Sequence, residues 1–196
     1  MYSKKVLDVG KKSLMKKILV IGLGSMGFGM AHSLKRSGYE VYGQDINTKQ
    51  EQKFIKEGGL AGKVPYDILE AVIIVVLNEM QTCEIVFGKD GIANKLKNNT
   101  LIMVCTTVSP DFAKEMDYRC GKKELLYLDA PISGGSKKSF EGKLSYMISG
   151  SNEAQKKAKP LLDATSEKVF EFGEVVGAGS AMKSVNQMLA GIHISA

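Results

Sequence analysis

Ile18-Leu19-Val20-Ile21-Gly22-Leu23-Gly24-Ser25-Met26-Gly27 is the stretch whose reading decides the fold. Its apolar run is short, β-branched and preceded by Lys16-Lys17, which predicts a buried strand starting at the surface. Phe28-Gly29-Met30-Ala31-His32-Ser33-Leu34 follows with apolar or small residues at helical spacing, and Gly38 marks the stop. Strand, G-x-G-x-x-G and helix together make a dinucleotide fingerprint. Gly22 allows the tight turn, Gly24 lets the backbone approach a pyrophosphate, and Gly27 lets helix and strand pack closely. The helix N-terminus then offers unpaired N–H groups and a positive dipole end to the phosphates.

Glycines serve any tight turn, so the nucleotide reading needs an acidic residue at the end of the next strand, about 20 residues on. Tyr39-Glu40-Val41-Tyr42-Gly43-Gln44 alternates like a strand and ends in Asp45, 18 residues after Gly27. A carboxylate there accepts hydrogen bonds from the adenosine ribose hydroxyls and repels a 2′-phosphate. Asp45 therefore favours NAD over NADP, with Lys49 the nearby cation that works the other way.

The bulk properties bound the rest. At 196 residues the chain is one ordinary domain, or one domain with a fragment of another. A 44% hydrophobic content is enough for a core, and no apolar run approaches the roughly 20 residues that span a bilayer. Cys83, Cys105 and Cys120 are an odd number without C-x-x-C spacing or a neighbouring histidine. They are expected as reduced, mostly buried thiols of a cytoplasmic protein, with neither disulfides nor a metal site. The net charge of +6 is half local, because residues 1–15 carry four lysines against one aspartate. The remainder is only mildly basic, without a groove motif or aromatic cluster, which argues against nucleic acid as a partner. Residues 1–14 are expected to be a dispensable basic extension, lacking the apolar segment of a secretory signal.

Further along, Thr48 to Glu57 predicts a polar helix and Val72 to Leu77 a central parallel strand. Short helices are expected at Gln81–Phe87 and from Gly91 to Leu96, and a strand at Thr100–Cys105. Ser109-Pro110 opens a helix to about Arg119 with an N-cap and a first-turn proline. Strands follow at 125–128, 143–149 and 168–172, with helices at 136–141 and from Ser151 or Asn152 to Asp163. This alternation predicts an α/β fold of the Rossmann type, a doubly wound and mostly parallel sheet. From Gly177 to Ala196 the residues are small or apolar with no stop signal, a buried helix expected to pack on something beyond residue 196. The expected division is an extension at 1–14, a dinucleotide domain at 15–176, and at 177–196 the start of a long interdomain helix.

Four stretches in one order carry a family resemblance: the glycine fingerprint, Thr106-Thr107-Val108-Ser109-Pro110, Asp129-Ala130-Pro131-Ile132-Ser133-Gly134-Gly135, and Gly177-x-Gly-x-x-x-Lys183-x-x-Asn186-Gln187. The set resembles the β-hydroxyacid dehydrogenases, which include 3-hydroxyisobutyrate dehydrogenase and tartronate semialdehyde reductase. Val75 to Gln81 and Gln187 to Ile194 look most like its L-threonate dehydrogenase branch. The resemblance covers residues 16 to 196. It implies an NAD-dependent oxidoreductase acting on a small hydroxy acid, with an all-helical second domain that closes the substrate cleft and forms most of a homo-oligomer.

Hydride transfer to or from a secondary alcohol needs a held cofactor, an anchored substrate and a group that exchanges the hydroxyl proton. Gly22, Leu23, Gly24, Ser25, Met26 and Gly27 are the expected cofactor residues of the turn, Met26 covering the pyrophosphate. Asp45, Leu77, Asn78 and Thr107 join them, Leu77 and Asn78 lining the cleft and Thr107 approaching the nicotinamide ribose. Ser133-Gly134-Gly135 is read as a loop at the ligand edge of the sheet, suited to a carboxylate. By the resemblance that stretch binds the substrate carboxylate, Lys183 is the catalytic lysine and Asn186 orients substrate. Gln187 stands where a second asparagine is common. A lysine needs a lowered pKa or a relay to serve near neutrality, and burial under a second domain is the expected source. His32 is expected on a helix surface, and His193 in helix packing or a subunit contact. Val104 replaces a common aspartate, Cys105 and Thr106 also differ, and the segment between Asp45 and Leu77 is short, stunting the helix near Tyr66–Ala71.

Overall fold

The computed structural model describes residues 16–195, and side chains up to residue 189. The basic extension at 1–14 and the side chain of His193 lie outside the described residues. β1 (Lys17–Ile21) runs into α1 (Gly27–Arg36), then β2 (Glu40–Gln44) and α2 (Thr48–Lys56). Between α2 and β3 (Ala71–Ile74) stand a parallel bridge of Leu60 to Tyr42 and a 3-10 turn at Tyr66–Ile68. α3 (Glu79–Phe87), β4 (Leu101–Val104), α4 (Pro110–Gly121) and β5 (Leu126–Asp129) complete the first unit. These five strands are all parallel, in the order β2-β1-β3-β4-β5.

Burial on both faces explains why the strands are continuously apolar rather than alternating. Ile18, Val20, Ala71, Ile73, Leu101 and Met103 face α1 and Phe54 of α2. Their neighbours Leu19, Ile21, Val72, Ile74, Ile102 and Val104 face Val86 of α3 and Ala113 and Met116 of α4. Each such side chain contributes about 1.5–3 kcal/mol by leaving water. Val104, the departure from the family's aspartate, is one of these wholly buried packing residues.

The remaining elements are β6 (Ile132–Ser133), α5 (Gly135–Glu141), β7 (Leu144–Ile148), α6 (Asn152–Thr165), β8 (Ser166–Glu171) and α7 (Ala178–Ser195). Here the structure corrects the single-sheet expectation. β6, β7 and β8 form their own three-stranded sheet, with β6 antiparallel to β7. An antiparallel bridge between Asp129 and Ser149, with the Ser149 hydroxyl also on the Asp129 carboxylate, ties it to β5. The chain runs straight on from β5 through Pro131, whose carbonyl accepts Met147 N–H at 3.1 Å, and reverses only through α5, so β7 returns antiparallel to β6 instead of crossing over to lie parallel beside β5.

Two other expectations fail locally. There is no helix up to Leu96, because the N–H groups of Ile92 and Ala93 bond back to the carbonyls of Ile85 and Val86, leaving one turn. The strand expected through Leu77 ends at Ile74. Val76 N–H is taken by the Thr106 hydroxyl at 3.1 Å and Leu77 N–H by the Gln81 side chain at 3.0 Å, so these residues leave the sheet.

Candidate functional site

β1 has β2 on one side and β3 on the other, so the chain order reverses beside it, and ligands of open α/β sheets bind at such a switch point. The glycine turn leaves β1 there. Gly22 holds φ +94°, a left-handed conformation, and a Cβ on it would overlap the carbonyl of Val75. A Cβ on Gly27 would overlap the Gly22 carbonyl, which is the close helix–strand packing that the fingerprint requires. Gly24 differs, since a Cβ there would meet nothing within 4 Å. The space over Gly24 is open and exposed at the N-terminal end of α1, as a pyrophosphate cradle must be. On that observation the turn fits a dinucleotide.

The other turn residues divide. Ser25 is exposed beside Gly24. Leu23 buries its side chain completely and donates its N–H to Asp45 Oδ2 at 2.6 Å, so it joins the turn to β2 rather than facing a ligand with its side chain. Met26 is partly buried against the core, and its carbonyl accepts a hydrogen bond from Ser139. Asp45 Oδ1 also accepts the N–H of Asn47 at 2.7 Å, and Asn47 caps α2. Asp45 is thus held by the turn on one side and the α2 entry on the other, at the strand end where a ribose would lie.

Leu77, Asn78 and Thr107 come together in one cleft of about 510 Å³, with Glu79, Ser109 and Ser184. Asn78 caps α3 through its side chain, accepting Gln81 N–H at 2.9 Å. Glu79 Oε1 accepts Ser109 N–H at 2.6 Å, which clamps the β3 and β4 exits together. Leu77 is 85% exposed on the wall. Thr106, kept as a hydroxyl residue, is buried and braces Val76, while Thr107 is exposed.

Ser133 corrects the loop reading, because it sits in the two-residue strand β6 paired with Ser145. Gly134 and Gly135 follow at φ +138° and +76° and open α5 with their backbone exposed. α5 packs directly on α1, where a Cβ on Gly29 would press against the Phe140 backbone. The candidate carboxylate segment and the phosphate helix are therefore mounted back to back.

Lys183 was expected to be buried by a second domain, and the structure already buries it to 8% exposure within this chain. Its Nζ donates to the Ile132 carbonyl at 2.8 Å, next to Ser133. Burial lowers its pKa from the ordinary lysine value, so the desolvation comes from these residues themselves. Asn186 and Gln187 lie one turn further along α7 and are exposed. The sequence singled out Asp129 only as part of a motif. It is fully buried, and accepts hydrogen bonds from Ser149 Oγ, Gly177 N–H and both donors of Ser180 at the start of α7.

His32 is the other correction. It is 8% exposed, and its ring centroid lies 4.8, 5.5 and 5.3 Å from those of Phe28, Phe54 and Phe140. The helix face was misread because Phe140 arrives from α5, more than a hundred residues away. Among the described residues no group of three or more His, Cys, Asp or Glu could hold a metal ion. Cys83, Cys105 and Cys120 are free thiols, the last two buried. No described helix is long and apolar enough to cross a membrane.

Residues 17–173 match the family described as the NAD binding domain of 6-phosphogluconate dehydrogenase. L-threonate dehydrogenase of Pectobacterium atrosepticum is 42% identical over 190 residues, which are 95% of this chain and 62% of that protein. L-threonate dehydrogenase of Escherichia coli K12 is 37% identical over 182 residues, 90% of this chain and 60% of that protein. The crystal structure of 3-hydroxyisobutyrate dehydrogenase from Salmonella typhimurium superposes with a TM-score of 0.86 at 36% identity, covering 92% of this chain and 64% of that one. The chain thus spans about three-fifths of the length of the curated relatives it matches.

Proposed function

The chain belongs to the family of the NAD binding domain of 6-phosphogluconate dehydrogenase, and from that premise we propose that it is the cofactor-binding part of an NAD-dependent hydroxy-acid dehydrogenase whose substrate is L-threonate or a related small sugar acid. The observation that carries the reading is Lys183, buried, with its amine on the Ile132 carbonyl beside Ser133, Gly134 and Gly135. The likeness to L-threonate dehydrogenases supports the substrate class.

In this reading the turn from Gly22 to Gly27 holds the pyrophosphate, Asp45 the adenosine ribose, and Leu77, Asn78 and Thr107 the nicotinamide half. Bound there, NAD supplies the hydride acceptor. Ser133 and the exposed N–H groups of Gly134 and Gly135 anchor the substrate carboxylate, and Asn186 and Gln187 orient its hydroxyl groups. Lys183 takes the proton of the reacting hydroxyl. Its lowered pKa increases the neutral, proton-accepting fraction.

Residues 15–176 form the dinucleotide domain in this proposal, and 177–196 the helix leading to the part that the relatives' additional length supplies. Exposed Met182, Val185 and Met188 on α7 support a covering domain and homo-oligomer contacts there. The free cysteines support a cytoplasmic setting.

NAD reduction, followed by absorbance across L-threonate, 3-hydroxyisobutyrate and tartronate-type hydroxy acids, tests the reading. L-threonate should react fastest. Turnover preferring another acid moves the chain to a different branch. Binding of NAD without turnover of any acid supports the second reading, a non-catalytic nucleotide-binding module. One observation favours that alternative: Asn186 and Gln187 stand exposed rather than enclosed.

A further inference from the structure

Discrimination between NAD and NADP is normally ascribed to the acidic residue that ends the second strand, here Asp45. The structure adds a second carboxylate. Glu51, in the first turns of α2, accepts the Asp45 backbone N–H on Oε1 at 3.0 Å. Glu51 is only partly buried, so its charge faces the same strand end rather than the core. Lys53 lies over the Phe28 ring, 4.4 Å from its centroid, on the α1 side. Lys49 gives its backbone N–H to Asn47 and is exposed.

We propose that Glu51 is a second determinant of dinucleotide choice, fixing Asp45 through its backbone and placing a further negative charge against the 2′-phosphate of NADP. This rests on the reading of the Asp45 corner as the ribose site. Two roles are combined in one side chain, and they separate by substitution. Glutamine keeps the oxygen that accepts Asp45 N–H but has no charge. Alanine loses both.

Dissociation constants for NAD and NADP, measured by titration calorimetry on the wild-type chain, Glu51→Gln and Glu51→Ala, test it. For Glu51→Gln, NADP should bind about three- to tenfold more tightly, the scale of one charge acting on a phosphate several ångströms away near a surface. NAD affinity should hold within about twofold in that variant, because the hydrogen bond survives. Glu51→Ala should weaken NAD about fivefold or more as the Asp45 corner loosens. An unchanged NAD-to-NADP ratio in Glu51→Gln, with the wild type still preferring NAD, overturns the proposal alone. A wild-type chain that binds neither dinucleotide overturns the ribose-site reading and the proposal with it.

Discussion

Asp129 and Ser180 are joined twice: the Ser180 hydroxyl donates to Oδ1 at 2.6 Å and the Ser180 N–H to Oδ2 at 2.9 Å. Gly177 N–H and Ser149 Oγ bind the same carboxylate at 3.2 and 2.9 Å. A buried carboxylate at the first turn of α7 satisfies orphan N–H groups and complements the helix dipole. It also sets the origin of the helix that carries Lys183 three residues after Ser180, so Asp129 is a positioning residue for the amine.

Asp129→Ala would strand four buried donors. Removing one partner of such a network costs about 3–5 kcal/mol. Urea unfolding should show a midpoint shift of that size, and Asp129→Asn a smaller one. A loss below about 1 kcal/mol for the alanine variant would mean that the carboxylate does not hold α7.

Gly24 and Gly27 separate binding from folding. A methyl group on Gly24 enters open space, so Gly24→Ala should leave Tm unchanged and weaken NAD at least about tenfold by occupying the phosphate cradle. On Gly27 it strikes the Gly22 carbonyl, so Gly27→Ala should cost about 1–3 kcal/mol of stability as well as the binding. Unchanged NAD affinity in Gly24→Ala would place the pyrophosphate elsewhere.

Burial lowers the His32 pKa below 6.5, with Lys35, Arg36 and Lys53 adding to the shift and Glu57 opposing it. Nε2 lies 3.0 Å from Glu57 Oε2 but makes no hydrogen bond. The unfolded chain therefore takes up this proton at higher pH than the folded one. Stability should fall as pH drops through 6.5 and level off below the folded pKa. Denaturation series across that range on wild type and His32→Leu check the sign, the variant showing a flatter profile.

Lys183 pays a desolvation cost for its position, so Lys183→Met, of similar volume, should match or exceed the wild-type Tm. In the wild type, stability should rise as pH climbs from the lowered folded value towards the ordinary 10.5, because the unfolded chain then holds more protons. NAD affinity should stay within about twofold, since Lys183 is assigned to the substrate's hydroxyl. Turnover of a hydroxy acid should fall by about two to four orders of magnitude. Full turnover in the methionine variant would remove the proton-transfer role.

Elements whose cause is local were legible from residues 17–129: a glycine turn, an apolar run, a proline behind an N-cap serine. Asp45 was legible because its spacing from Gly27 is set by one helix and one strand. What escaped depends on partners distant in sequence. His32 read as a surface residue because nothing near it in the chain announces Phe140. Lys183 read as needing an outside cover because its acceptor, the Ile132 carbonyl, is a backbone atom without a side-chain signature. Glu51 was hidden for the same reason, since its partner is the N–H of Asp45. The separate β6-β7-β8 sheet escaped because alternation reveals strands but not which neighbours they choose.

The bond from Lys183 to the Ile132 carbonyl ties the amine to the strand before Gly134. Under the proposed assignment, remodelling β6 to admit a longer acid would re-aim the Lys183 amine at the same time. If the proposed roles hold, substrate size and the aim of the amine are linked, and a redesign there has to vary Ile132, Ser133 and the α7 residues facing them together.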